Sequence, residues 1–163
     1  ERLLEEKIDR VYSSDLGRVK QTLVPLLARR EIDVSYVPEL RERSFGVFEG
    51  RLLSEYREKR KLEAWDRFNC RTEGGESYED VRARLSPWLS RIIEESRPEE
   101  SIVLFSHGGT ILCLFSLLFN VPLEELPDYW DVPNASISLL ELSDLGKVSA
   151  YQVADVEHLG ADK

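Results

Sequence analysis

The sequence predicts an α/β fold, a three-layer α/β/α sandwich around a mostly parallel sheet. Three observations predict it. Short β-favouring apolar runs alternate with stretches of helical period. Two of these runs stop at Ser-rich or Gly-rich turns from which a helix starts at once. Late in the chain, two alternating segments flank a turn and read as a hairpin.

Residues 1–7 read as the end of a helix. Residues 8–12 (Ile-Asp-Arg-Val-Tyr) read as a strand. Ser13-Ser14-Asp15 then offers N-caps for a helix whose apolar face continues through Leu23, Leu26 and Leu27. Residues 34–37 form a second strand, and residues 54–68 are charged and helical. Ser77, with Asp80 three residues on, makes a capping-box-like start to a helix that runs to about residue 96. Arg97-Pro98 breaks that helix, and Pro87 bends it or marks a new first turn. Residues 102–105 are a buried strand, followed by a helix over 111–119 and a short helix over 122–126. Residues 137–142 and 148–154 are the hairpin strands, joined by the turn 143–147. No repeat, low-complexity tract or linker divides the chain, so residues 1–163 read as one domain.

At 42% hydrophobic, 163 residues can bury one sizeable core. The formal net charge of −9 argues against general nucleic-acid or membrane-surface binding, which needs a basic field. An anionic ligand must therefore be held by local cations. No apolar run approaches transmembrane length, and no signal-peptide pattern is visible. Cys70 and Cys113 are too few for a disulfide framework. Cys113 lies in an apolar helix and reads as a reduced core residue, which makes a cytoplasmic location the default.

The strand over 102–105 runs into Ser106-His107-Gly108-Gly109. In an open α/β sheet, ligands bind beyond the carboxyl ends of strands, which is where His107 stands. The glycines let a ligand approach the backbone, and the helix amides favour an anion. A histidine at a strand end, with glycines serving only the turn, accounts for the same letters. Arg18 sits in the first turn of its helix, where it opposes the helix dipole and leans back over the strand end. An anion between the amides and the guanidinium removes that conflict, so the two junctions together suggest a phosphate site. Other chemistries lack their motifs. No G-x-S-x-G elbow, P-loop or H-E-x-x-H occurs, and the two histidines are far apart in sequence, so no metal and no cofactor are expected.

Five segments carry a family resemblance in order along nearly the whole chain. Ser13-Ser14-Asp15-Leu16-Gly17-Arg18-Val19-Lys20-Gln21-Thr22, Leu40-Arg41-Glu42-Arg43-Ser44-Phe45-Gly46-Val47-Phe48-Glu49-Gly50 and Gly74-Gly75-Glu76-Ser77 are followed by Ser106-His107-Gly108-Gly109 and Asn134-Ala135-Ser136. Together they resemble the histidine phosphatase superfamily, also called phosphoglycerate mutase-like. The resemblance implies a phosphatase that works through a phosphohistidine, without metal or cofactor, on a small-molecule phosphate ester. It implies no nucleic-acid or membrane partner, and it is compatible with a homodimer. Arg18 would bind the phosphoryl oxygens. His107 would donate hydrogen bonds to the same oxygens, for which it should be protonated or present an N–H. Gly108 would help bind the phosphate through its backbone. Glu42 would protonate the leaving alcohol and then activate water, a double task that calls for some burial. Glu76 and Asn134 would stand behind these groups, although helix-start and turn chemistry account for them equally. His158 resembles the family's tail and reads as structural.

The chain also departs from the family. The Arg-His-Gly strand that carries the nucleophile is missing, and there is no methionine. The expectation is that a strand, loop and helix, roughly forty residues, precede Glu1, that this piece includes a central strand, and that the chain as given turns nothing over. A mutase, or a non-catalytic phosphate-binding regulatory module, remains an alternative. Mutases of the family carry a longer insertion after the Glu-Gly segment, whereas about two dozen residues separate Gly50 from Gly74 here, room for one helix. That segment is net positive, with Arg51, Arg57, Lys59, Arg60, Lys61, Arg67 and Arg71 against Glu55, Glu58, Glu63 and Asp66. By resemblance it would form a lid over the site; a solvated helix of mixed-sign pairs explains the same letters.

Overall fold

The computed structural model describes residues 2–66, 68–126, 132–143 and 146–160. Its elements are β1 (Arg10–Ser13), α1 (Gly17–Leu27), β2 (Val34–Tyr36), α2 (Leu53–Leu62), α3 (Tyr78–Glu95), β3 (Ile102–Phe105), α4 (Gly108–Phe119), β4 (Ile137–Leu142) and β5 (Val148–Asp155), joined by short 3₁₀ turns. β2, β1 and β3 form a parallel sheet in that order, with Val11 beside Val34 and Val103, and Tyr12 beside Leu104.

The side-chain period of two sorts these strands onto two faces. Val11, Val34, Val103 and Phe105 pack with Leu23 and Leu26 of α1. Tyr12, Ile102 and Leu104 pack on the opposite face with Val81, Leu85, Trp88 and Leu89 of α3 and with Cys113 and Leu114 of α4. Helices therefore cover both faces, as the sequence predicts. Leu23 and Leu85 are wholly buried, and each stabilises the fold by about 1.5–3 kcal/mol through its transfer from water. Among the described residues β3 pairs only with β1, and β4 only with β5, so the hairpin is a sheet of its own. It leans on the helical layer through Tyr151, edge-on to Phe119 at 5.1 Å, and through Gly146 beside Ile93. Asp144 and Leu145 of the expected turn lie outside the described residues.

Several boundaries differ from the sequence reading, each for a local reason. Helix α1 is capped by none of Ser13, Ser14 and Asp15 in the usual way: its N-cap is Leu16, whose amide donates to Ser14 Oγ at 3.3 Å. Ser13 Oγ donates to the Ser14 carbonyl at 2.9 Å, and Ser14 and Asp15 have the partners described below. Helix α3 runs unbroken through Pro87, and α1 through Pro25. The carbonyls these prolines leave without an amide partner belong to Ala83 and Gln21, both exposed, so water can serve them. Helix α2 stops at Leu62 rather than near residue 68, because Ala64 turns left-handed at φ +50° and Asp66 accepts the Phe68 and Asn69 amides. Residues 2–4 form a 3₁₀ turn, and so do residues 123–125. The capping box at α3 is as expected, with Ser77 Oγ accepting from the Asp80 amide at 3.1 Å and Asp80 from the Ser77 amide at 2.7 Å. Among the described residues no helix is long and apolar enough to cross a membrane.

Candidate active site

The site forms where β1 and β3 end side by side. The Ser14 amide donates to the Phe105 carbonyl at 2.8 Å, which carries the strand pairing one residue past β1. This puts the buried Ser14 hydroxyl 2.9 Å from His107 Nε2. Arg18, exposed on the first turn of α1, reaches back and donates from Nε to His107 Nδ1 at 3.1 Å. The two junctions singled out in the sequence thus meet at one imidazole.

Since Nδ1 accepts from Arg18, the ring is neutral and carries its proton on Nε2, where it donates to Ser14. Burial, and then the charges of Arg18 and Arg84, push the His107 pKa down to about 4 from an ordinary 6.5. In this arrangement the ring presents its N–H to Ser14. The imidazolium is disfavoured, and both nitrogens are engaged within the protein.

Glu42 reaches the same place from the loop that follows a 3₁₀ turn at residues 38–40. Ser106 Oγ donates to the Leu40 carbonyl at 2.8 Å and Thr110 Oγ1 to the Arg41 carbonyl at 2.7 Å, which pins the loop to the β3–α4 junction. Half-buried Glu42 accepts from the Arg43 amide at 2.9 Å and from the Gly109 amide at 3.2 Å. Glycine at 109 leaves room for this carboxylate, because a Cβ there would lie 2.6 Å from Glu42 Oε1. The helix-start amide that the sequence reading offered to a ligand is therefore, at Gly109, occupied by the chain's own carboxylate. Gly108 is less crowded, its nearest neighbour being the Val132 carbonyl oxygen at 3.6 Å from a built Cβ.

Glu76 stands behind the loop, accepting from Arg84 Nε and from the Ser44 amide, both at 2.9 Å. Asn134 is exposed on the turn between Val132 and β4. His158 bonds the Ala135 carbonyl at 3.0 Å through Nε2, a structural tie. In the expected lid, Lys59 pairs with Glu63 and Arg71 with Asp80, the mixed-sign pairing of a surface segment; Arg67 lies outside the described residues.

Sequence reasoning missed Ser14, which it read as a cap, and the Asp15–Arg41 pair at 2.5–2.6 Å, which ties the β1 turn to the Glu42 loop. It also missed Arg43, buried against Phe45, Tyr56 and Tyr78. A cleft of about 430 Å³ opens beside Glu42, lined also by Arg41, Ser44 and Arg84. Among the described residues no cluster of three His, Cys, Asp or Glu side chains is placed to hold a metal. Both cysteines are free, and burial pushes the Cys113 thiol up to about 12.

Known proteins share this arrangement of elements. The chain is 28% identical over 148 residues to fructose-2,6-bisphosphatase of Saccharomyces cerevisiae, covering 83% of this chain and 32% of that protein. It is 32% identical to phosphoglycerate mutase-like protein 4 of Arabidopsis thaliana, over 95% of this chain and 68% of the relative. The chain thus spans about a third of the yeast protein's length. A solved mycobacterial glucosyl-3-phosphoglycerate phosphatase superposes with a TM-score of 0.72 at 26% identity, over 90% of this chain and 76% of that one. The sequence profile of the histidine phosphatase superfamily (branch 1) matches residues 1–153, which include Arg18, Glu42 and His107, and the chain belongs to that family.

Proposed function

We propose that the protein is a phosphomonoester hydrolase that works through a phosphohistidine, with the nucleophilic histidine on a segment preceding Glu1. That histidine attacks phosphorus as the bond to the leaving oxygen breaks. Arg18 holds the phosphoryl oxygens with its planar fork, and His107 supports the charge that builds on them. Glu42 gives its proton to the leaving alcohol. The resulting carboxylate takes a proton from water, whose oxygen attacks the phosphohistidine and frees inorganic phosphate. The reaction uses no metal. The substrate is a small phosphate ester, and the cytoplasm, where free thiols persist, is the expected location.

One observation carries this reading: an arginine, a histidine and a carboxylate converge on a single strand-to-helix junction. A phosphate-binding module has no need of the carboxylate there. The short segment after Gly50, in which α2 is the one helix among the described residues, favours a phosphatase over a mutase. The test is hydrolysis of a nitrophenyl phosphate by the full-length gene product in excess chelator, with alkaline-quench trapping of an acid-labile phosphoenzyme. Activity that returns only with a divalent metal overturns the mechanism. Turnover by the pure 163-residue chain overturns the placement of the nucleophile.

A further inference from the structure

The loop that carries Glu42 is neither helix nor strand, so its carbonyls need partners from elsewhere. One side chain supplies most of them. Arg84, on the second turn of α3, donates from Nη1 to the Glu39 carbonyl, and from Nη2 to the Arg41 carbonyl at 2.7 Å and the Glu42 carbonyl at 3.4 Å. Its Nε donates to Glu76 Oε1 at 2.9 Å, and Glu76 Oε2 accepts from the Ser44 amide at 2.9 Å. The pair therefore holds the backbone at residues 39, 41, 42 and 44, on both sides of the Glu42 side chain. The ion pair is largely shielded, with 23% of the Arg84 side chain and 28% of the Glu76 side chain exposed.

The chemistry of this contact calls for arginine. A planar guanidinium presents five donors in fixed directions and can serve several carbonyls and a carboxylate at once. A lysine ammonium in the same place would keep the charge but lack the fork. Arg84 is anchored on a rigid helix whose neighbours Val81, Leu85 and Trp88 are buried, so the loop takes its position from the core. Arg84 also faces the site electrostatically, since its charge contributes to the low pKa of His107.

We propose that Arg84, with Glu76 as its counter-ion, is a positioning residue that stations Glu42 for proton transfer to the leaving group. The proposal rests on the reading of Glu42 as the general acid given above. It extends that reading to a residue whose side chain bonds the loop and not the Glu42 carboxylate. Misplacing a catalytic group by about 1 Å can cost roughly 10²-fold in rate, and a loop that loses its shared anchor has that freedom.

The test uses the full-length gene product and two substrates, a nitrophenyl phosphate and an alkyl phosphate. Nitrophenolate leaves without a proton; an alkoxide does not. Arg84→Gln is expected to lower kcat/KM, which reports expulsion of the alcohol and not the later hydrolysis of the phosphohistidine, by roughly tenfold or more on the alkyl ester and by less than about threefold on the nitrophenyl ester. Inhibition by inorganic phosphate should change far less than the alkyl-ester rate, since the bonds of Arg18 and Ser14 to His107 are kept. Arg84→Lys should recover part of the alkyl-ester rate. Combined with Glu42→Gln, Arg84→Gln should add little, because both changes remove the same step. Should Arg84→Gln fail to fold, Glu76→Gln, which removes only the counter-ion, is expected to show the same selective loss in smaller measure.

Equal losses on the two esters, or a full multiplicative effect on top of Glu42→Gln, overturn the positioning role. If Glu42→Gln itself spares the alkyl ester, the general-acid reading falls and the proposal falls with it. If Glu42→Gln is selective and the Arg84 and Glu76 variants are not, only the positioning role falls.

Discussion

Gly109→Ala is expected to remove proton transfer while leaving the fold standing. A Cβ at this position lies 2.6 Å from Glu42 Oε1 and 2.8 Å from Tyr78 Cε1. Ordinary contact begins near ~3.5 Å, so the carboxylate must retreat by about 0.9 Å and the ring edge by about 0.7 Å. The carboxylate is the far end of a flexible side chain and moves first. In doing so it gives up the 3.2 Å bond from the Gly109 amide, a charged hydrogen bond of about 1.5–3 kcal/mol. A retreat of that size in a catalytic group costs on the order of 10²-fold in rate. Stability moves less. Overpacking costs about 1–3 kcal/mol, and the higher helix propensity of alanine offsets about 1 kcal/mol of it.

The assay is kcat/KM of the full-length gene product on an alkyl and a nitrophenyl phosphate, which reports the step that expels the alcohol, with thermal melts alongside. The alkyl rate should fall by roughly 30–100-fold and the nitrophenyl rate by less than about fivefold. Gly108→Ala is the comparison, since its Cβ meets nothing closer than 3.6 Å. It should keep the wild-type leaving-group dependence and melt no lower. A Gly109→Ala enzyme that hydrolyses the alkyl ester at close to the wild-type rate, or that loses both esters equally, would show that Glu42 does not work from this position.

Other outcomes are expected. Arg18→Ala and His107→Ala should each slow every ester alike, by about 2–4 kcal/mol in activation free energy, as measured by kcat/KM across a leaving-group series. His107 is neutral in the fold, with its pKa lowered from 6.5 to about 4, and the unfolded chain binds the extra proton first. Its contribution is therefore fully present above pH 6.5 and is lost as pH falls toward 4, so urea midpoints of wild type should drop more steeply over that window than those of His107→Asn. Ser77→Ala removes the α3 capping box and should cost about 1 kcal/mol in a thermal melt. Neutralising Arg57 and Arg60 should raise KM for substrates with extra negative charge if α2 acts as a lid; an unchanged KM across substrates makes α2 plain surface.

The layers were legible in the sequence because burial sets them. The continuous apolar run of residues 102–105 and the helical spacing of Leu23 and Leu26 are hydrophobic patterns, and the structure puts them where such patterns lead. The end of α2 was not legible. Charged residues continue past Leu62 with good helix propensity, and the stop comes from a left-handed Ala64 and an Asp66 turn that no periodicity announces. Pro87, which the sequence offers as a bend or a new first turn, starts no new helix: α3 continues through it because the carbonyl it orphans faces water. In the site, Arg18, His107 and Glu42 could be named because their neighbours in sequence are distinctive. Their hydrogen bonds could not. Ser14 has the letters of a cap, and only the pairing of β1 with β3 turns it toward His107. Arg84 is one of many charged residues on a surface-patterned helix, and nothing in its spacing shows that a loop some forty residues earlier hangs from it.

The same bonds bear on how a phosphate would be taken up. Two of the groups at the junction already have partners in the protein: His107 lies between Arg18 and Ser14, and Glu42 lies on the Gly109 and Arg43 amides. A chain of net charge −9 gains nothing from bulk attraction of an anion, so binding must come from local contacts, some of them exchanged for these. A phosphate dianion beside Arg18 competes with His107 Nδ1 for the guanidinium, and its charge opposes the two effects that hold the imidazole neutral. The ring then gains a proton and becomes the donor that the chemistry asks for. On this argument the low pKa of His107 belongs to the resting state, and proton uptake should accompany phosphate binding above pH 4, in amounts that calorimetry in buffers of different ionisation enthalpy can count.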